Sequence, residues 1–268
     1  MELAAERNGV VINADSMQLY RELRVISARP DADDEAAVPH RLYGHVSAAT
    51  RYSVGAWLID AAAAIAAASA DGRVPILVGG TGLYFKALTE GLAAIPPIDP
   101  AMRAVIAAEA EAAGVEALHA RLAPDDAAAI RPSDRSRIVR ALEVFAATGR
   151  SLAAWKRAAS APPLVPAATA ERIVILPDRA ALHRRIGERA EAMVRSGAIE
   201  EARALAALGL GPAMPAMKAI GVRELADHLA GKVSLDEAVA AMKTETRRYA
   251  KRQMTWIRNQ MADWPVRA

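Results

Sequence analysis

Cysteine is absent from this chain of 268 residues. That excludes disulfides and thiolate metal sites, and it suits a cytoplasmic setting. Aromatic residues are scarce at 4%, while much of the 53% hydrophobic content is alanine. Closely packed helices fit that composition better than a strand-rich sandwich does. No apolar run reaches the ~18 residues needed to span a bilayer; the nearest, Ala61 to Ala68, is short and alanine-dominated. The opening residues, MELAAERNG, lack the basic-then-apolar order of a secretory signal. The expectation is a cytoplasmic protein with no membrane contact, built as one large domain or two smaller ones.

Strong net charge is missing too, the balance being only +3. Yet the cations are unevenly placed. Arg131, Arg135, Arg137, Arg140 and Arg150 face only Asp134 and Glu143 in one window, and Lys243, Arg247, Arg248, Lys251, Arg252 and Arg258 crowd another. Two basic clusters on a near-neutral chain suggest a polyanion met at defined places, although an ordinary solvated helix face explains either cluster alone.

What the chain does have is strand-helix alternation. Val10-Val11-Ile12 reads as a short strand buried on both faces, with Gly9 as the stop of a preceding helix. Leu42–Val46 reads as a further short strand, Gly55 to Ala70 as a helix, and VPILV (Val74 to Val78) as a second buried strand followed by a helix from Leu83. After Pro96-Pro97 only helical patterns appear: Ala101–Ala113, Val115–Leu122 and Asp134–Ala147, closed by Pro162, Pro163 and Pro166. RIVIL (Arg172–Leu176) then resumes a buried strand. Helices follow at Arg179–Ser196, Ile199–Leu208, Lys218–Leu229 and Leu235–Ile257. An α/β core interrupted by a helical block implies an inserted domain, with core segments 1–98 and 168–268 and the insertion at 99–167.

Two stretches stand where chemistry is expected. In an open parallel sheet, ligands bind beyond the carboxyl ends of the strands. Asp15 follows one such end, although Asp-Ser is also a common cap pair. Gly79-Gly80-Thr81-Gly82 follows another. Its glycines let backbone N–H groups approach a ligand, and the helix start favours anions.

Together, Asp15-Ser16-Met17-Gln18-Leu19-Tyr20, Val78 to Tyr84, and Lys251-Arg252-Gln253-Met254-Thr255-Trp256 resemble the tRNA dimethylallyltransferase family. Pro39-His40, Tyr52-Ser53, the RIVRALE block from Arg137 to Glu143, Arg185-Ile186 with Arg189, and Ile220-Gly221-Val222-Arg223 match in order as well. The resemblance implies a P-loop NTPase-like parallel sheet core and transfer of a dimethylallyl group from dimethylallyl diphosphate to N6 of adenosine 37 in tRNA. By the same resemblance Asp15 is the general base, Thr81 orients the diphosphate and Arg103 assists the transfer. Asp15, Ser16, Met17 and Gln18 read the flipped adenine and a neighbouring base. Ser136, Arg137, Ile138, Val139 and Arg140 touch the anticodon stem, and Lys218, Gly221 and Arg223 are a further tRNA block. Lys251, Arg252, Gln253 and Arg258 form the last one. On a helix Arg247 and Lys251, and Arg248 and Arg252, share faces four residues apart. Arg185 and Arg189 either reach the diphosphate or tie their helix to the core. Trp256 reads as core. The implied partners are the tRNA anticodon stem-loop and dimethylallyl diphosphate, with Mg²⁺ as cofactor and a monomeric protein.

One departure stands out. The family's phosphate-binding loop, G-x-T-x-x-G-K-[ST], occurs nowhere in this sequence. The reading expects the first core strand and this loop to be missing, and with them the lysine and the N–H cradle for the diphosphate. The chain as it stands is then expected to transfer little prenyl group. The alternative is a catalytically impaired tRNA-binding remnant. A small-molecule nucleotide kinase is weaker still, since it needs the same loop and leaves the carboxyl-terminal KRQMTW block unexplained.

Overall fold

The computed structural model describes residues 1–158 and 161–267. It divides into two compact units, Met1–Thr89 with Leu164–Ala268, and Glu90–Pro163.

In the first unit, α1 (Glu2–Glu6) runs into β1 (Gly9–Asn13). The chain reverses at Asn8, at φ 49°, so the left-handed residue is Asn8 rather than Gly9; asparagine tolerates that region through its short polar side chain. After α2 (Ala32–Ala37), capped by Asp31, comes β2 (His40–Arg41). The expected strand Leu42–Val46 does not form. Leu42 has φ 64°, which breaks the extended path, and Val46 makes only an isolated bridge to Tyr20. α3 (Val54–Ala70), β3 (Val74–Val78) and α4 (Gly82–Glu90) complete this half.

The sheet is parallel, in the order β2-β1-β3. Its middle strand is the one read as buried on both faces, and Val10, Val11 and Ile12 are at most 5% exposed. β3 is not buried as expected: Val74 and Val78 are 43% and 48% exposed. Among the described residues β3 has a sheet neighbour on one side only. Val74 N–H and Val78 C=O both bond toward β1's side of the sheet, at Asn8 O and Ala14 N. By alternation Pro75, which has no N–H, therefore turns toward the open edge, where a strand tolerates it.

The second unit is helical: α5 (Pro100–Ala112), α6 (Val115–Ala120), α7 (Pro124–Ala129), α8 (Arg135–Thr148) and α9 (Leu152–Arg157). Its core joins Ile106, Leu118, Ile130, Ile138, Leu142 and Val144, and Ile95 and Ile98 pack into it ahead of Asp99. Two short helices, α7 and α9, went unread in the sequence. Besides the packing of Ala127, Leu152 and Trp155 on the core, they are held by polar groups. Buried Asp126 accepts the N–H groups of Leu152 and Ala153 at 3.0 and 2.8 Å, and Ser151 Oγ donates to Asp125 at 2.7 Å.

The chain returns to the first unit through β4 (Val174–Ile175). This strand is buried at one residue of two and is not part of the main sheet. Val174 is buried but Ile175 is 72% exposed, and among the described residues β4 pairs only with β5 (Val266–Arg267), in a separate two-stranded parallel sheet. Between them lie α10 (Arg179–Arg195), α11 (Ala198–Ala207), α12 (Val222–Leu229) and α13 (Leu235–Gln260). The helix expected from Lys218 starts at Val222, because Pro215–Lys218 is a 3-10 turn and Gly221 has φ 107°. Among the described residues no helix is long and apolar enough to cross a membrane.

Candidate active site

β1 ends on Asn13, a fully buried polar residue. Its side chain shapes the backbone from Ala14 to Asp15. Nδ2 donates to the carbonyls of Asp15 and Leu42 at 3.0 and 3.1 Å, and Oδ1 accepts Asp15 N–H at 2.8 Å. Trp57 Nε1 donates to the Asn13 carbonyl at 2.9 Å. A buried polar group must be paired to avoid a desolvation cost, and here the pairing fixes the backbone of Asp15 on the strand end.

Asp15 lies beside the turn after β3. Ser16 N–H donates to Thr81 Oγ1 at 2.9 Å, Thr81 Oγ1 lies 3.2 Å from Ser16 Oγ, and Thr81 N–H reaches the Ala14 carbonyl at 3.3 Å. The two strand ends are thus brought together. Asp15 Oδ1 accepts Met17 N–H at 2.8 Å, while Oδ2 accepts no hydrogen bond among the described residues. A half-exposed carboxylate with one oxygen held and the other free is arranged to take a proton.

The glycines of the turn have a packing reason that sequence reading did not supply. A Cβ on Gly79 would sit 2.2 Å from the backbone of Ala14, and one on Gly80 would sit 2.3 Å from Gln253 Nε2. α13 accordingly presses one face on the turn. Gln253 donates to the Gly80 carbonyl at 2.9 Å, Tyr249 approaches the same oxygen, and Trp256 lies against Gly82. The spacing of 249, 253 and 256 is a helical face visible in the sequence, and it is the signal that could have found Tyr249.

Charge around Asp15 is shared among neighbours. Burial, reinforced by the Asp15 carboxylate, pushes the Tyr43 phenol up to about 12. Burial raises Tyr84 as well, with Tyr20 and Asp15 adding to it, and Tyr84 stacks on Trp57 at 4.3 Å. Tyr249 is raised by burial and by Asp15. Arg189 has an exposed flank, yet the protein around its guanidinium lowers its pKa; Asp15 opposes that and Arg185 adds to it. Its nearness to Asp15 puts a cation where negative charge gathers.

The remaining sequence-selected residues divide by exposure. Lys218, Arg223, Lys251, Arg252, Arg258 and Arg185 are exposed in the first unit; Arg252 lies over the Tyr249 ring at 5.5 Å, and Arg223 pairs with buried Glu224. Gly221 is buried at positive φ and offers no contact surface. Its N–H is taken by Glu224 at 2.9 Å. In the second unit Ser136, Arg137 and half-exposed Arg140 face outward on α8, and Arg137 and Arg140 pair with Asp134 and Glu143. Ile138 is wholly buried and offers no side-chain surface, and Val139 is partly buried against the same core. Arg103 stands on α5, with its Nε buried and unpartnered. Gln253, expected on the RNA, donates from Nε2 to the Gly80 carbonyl.

A family model described as IPP transferase matches residues 18–260. Over 267 residues the chain is 54% identical to the tRNA dimethylallyltransferase of Nitrobacter hamburgensis, covering 98% of this chain and 84% of the relative. It is 52% identical to that of Parvibaculum lavamentivorans, with the same two coverages. Among solved structures, the full-length tRNA isopentenylpyrophosphate transferase of Bacillus halodurans superposes with a TM-score of 0.68 at 36% identity, covering 99% of this chain and 83% of that one. A eukaryotic dimethylallyltransferase acting on tRNA shares the fold with a TM-score of 0.74 at 24% identity, covering 96% of this chain and 65% of that one.

Proposed function

The chain belongs to the IPP transferase family, and on that footing we propose that it moves a dimethylallyl group from dimethylallyl diphosphate to N6 of adenosine 37 in tRNA. Prenyl transfer to tRNA is the activity its relatives are named for. The finer reading, of Asp15 as the base, is carried by one observation: Asp15 Oδ2 is free at the junction of two strand ends.

The adenine amine is a poor nucleophile because its lone pair is delocalised into the ring. As the bond from N6 to the prenyl C1 forms and the bond from C1 to the diphosphate oxygen breaks, a proton must leave N6. Asp15 Oδ2 takes it, a contribution of about 10²–10⁴-fold in rate. Met17 N–H holds the other oxygen, so the carboxylate is aimed before the substrate arrives. Arg189, and Arg185 beside it, supply positive charge on the side where the diphosphate departs. Thr81, expected to orient the diphosphate, carries a second duty. Its hydroxyl is already engaged with Ser16, so it couples the turn to the base-reading segment. Extruding the adenine costs a few kcal/mol. We assign that cost to the exposed cations Lys218, Arg223, Lys251, Arg252 and Arg258 and, on the second unit, to Arg137 and Arg140 together with the neutral Ser136 hydroxyl.

Mg²⁺ typically binds through one or two carboxylates plus substrate phosphates. Among the described residues no group of three His, Asp or Glu side chains could hold a metal. Those residues therefore present no metal cage of their own.

The test is transfer to an unmodified anticodon stem-loop RNA, with the product base identified by mass spectrometry. In a protein that carries a G-x-T-x-x-G-K-[ST] loop, prenylated adenosine 37, and none with Asp15→Asn at unchanged RNA affinity, is the expected result; the 268 residues by themselves hold no such loop and are expected to give little product. RNA binding that depends on adenosine 37 without any product favours the binding protein lacking catalysis. Full activity of Asp15→Asn removes Asp15 as the base.

A further inference from the structure

Glu201 sits on α11, a helix that contributes none of the candidate catalytic groups. Its carboxylate nevertheless takes three consecutive backbone N–H groups. Arg24 and Val25 donate to Oε2 at 2.8 and 2.7 Å, and Ile26 donates to Oε1 at 2.8 Å. Successive N–H groups converging on one point form an anion-binding concavity, and here a side chain from a distant part of the sequence fills it.

The turn so held is tied again within itself. Ala28 N–H bonds to the Val25 carbonyl and Arg29 N–H to the Arg24 carbonyl, both at 3.0 Å. Ala28 has φ 51°, a left-handed conformation that an L side chain resists. Such a residue keeps that conformation only when its surroundings enforce it. The Ser27 and Ala28 carbonyls then accept both hydrogens of the Gln18 amide, at 3.1 and 3.0 Å. Only the NH₂ end of an amide can sit at bonding distance from two carbonyl oxygens, so the amide has one orientation. Gly44 N–H fixes the Gln18 backbone carbonyl at 3.0 Å.

The consequence is a Gln18 amide of one polarity. Both its hydrogens are spent, so Oε1 is its one group without a partner among the described residues, as Asp15 Oδ2 is for Asp15; the Ser16 hydroxyl, 3.2 Å from Thr81 Oγ1, is the side-chain donor that remains between them. We propose that Glu201 is a positioning residue. By holding residues 24–26 it presents two carbonyls to Gln18 and leaves Gln18 as a pure acceptor, so the base beside the target is selected for an exocyclic amine. This rests on the tRNA reading of the site and goes beyond it, in naming a group outside the site and the hydrogen-bond polarity it imposes.

The experiment compares two anticodon stem-loop RNAs, with adenine or unsubstituted purine on the 5′ side of the target adenosine, by fluorescence anisotropy on the full chain. The natural protein binds the amine-bearing RNA about tenfold tighter, the worth of one hydrogen bond to a charged or well-fixed group. Glu201→Ala brings that ratio close to one, with affinity for the purine RNA nearly unchanged, and Gln18→Met abolishes the preference as well. Glu201→Gln, which keeps one acceptor oxygen and disturbs the fold less, gives an intermediate ratio. An unchanged ratio in Glu201→Ala or Glu201→Gln, or an equal loss of affinity for both RNAs, overturns the proposal, since a merely structural role lowers both alike. A natural chain that binds both RNAs equally also overturns it while leaving the tRNA reading in place. Binding of neither RNA overturns the tRNA reading itself.

Discussion

Asn13→Asp exchanges one amide nitrogen for oxygen at a site with no exposure, and three distances set its effect. The bond from Asp15 N–H to Oδ1, 2.8 Å in the natural protein, is kept. The second oxygen, however, would stand about where Nδ2 stands, 3.0 and 3.1 Å from two carbonyl oxygens. Protonated, the acid donates to one of them and forfeits one neutral hydrogen bond, about 1 kcal/mol. Ionised, it loses both bonds and leaves an uncompensated buried charge, about 3–5 kcal/mol in all. The folded-state pKa of the new carboxyl therefore lies above its unfolded value of about 3.9. A group raised on folding contributes most below its unfolded pKa, and its contribution is lost as pH rises through the folded pKa. Stability relative to the natural chain should be nearly intact near about pH 4 and should fall steadily toward neutrality. Urea midpoints of the two proteins measured side by side across that range read the difference directly. A deficit that is constant with pH, or no deficit at neutral pH, refutes the account of how the end of β1 is held.

Other substitutions separate rigid from yielding contacts. Gly79→Ala drives a Cβ into the backbone of Ala14 and should cost about 3 kcal/mol or more, whereas Gly80→Ala meets side-chain ends, the tip of Gln253 and, at 3.3 Å, Asp15 Oδ2, and should cost about 1 kcal/mol. Comparable urea midpoints for the two would contradict this. Asp126→Ala strips the carboxylate from the first N–H groups of α9 and should destabilise the helical unit by about 3 kcal/mol, with Asp126→Asn near half of that, as read by thermal melting. Tyr43 should ionise in an ultraviolet absorbance titration at about 12, as its raised phenol requires. Its contribution to stability is full below the ordinary tyrosine range and lost as pH rises through that value, and Tyr43→Phe should remove the step.

What could be read beforehand depended on how local its cause was. β1 was legible because a run of β-branched residues can be buried without help from elsewhere. Burial of β3 was over-read, since VPILV has the same composition whether its strand has one neighbour or two. β4 was misplaced because its partner, β5, lies at the far end of the chain. Asp15 and Thr81 were legible from their position after strands, but Thr81's engagement with Ser16 depends on a tertiary approach. The contiguous blocks expected on RNA include residues that the fold buries. A helix turns about a hundred degrees per residue, so no run of neighbours such as 136–140 lies on one face, and Gly221 is buried at the turn ahead of α12. Asp126 and Glu201 carried no signal, because a carboxylate binding backbone N–H groups far along the sequence looks like any surface acid.

The bare flank of β3 has a consequence for how the molecule behaves in company. Strands with unpaired edges recruit other strands, and this one shows two valines to solvent. Pro75 holds the first outward place of β3 and has no N–H, so it removes the first donor that an incoming strand would need. The imino acid that weakens this segment as a sheet member thus works as a guard against self-association, keeping concentrated solutions from stacking edge upon edge.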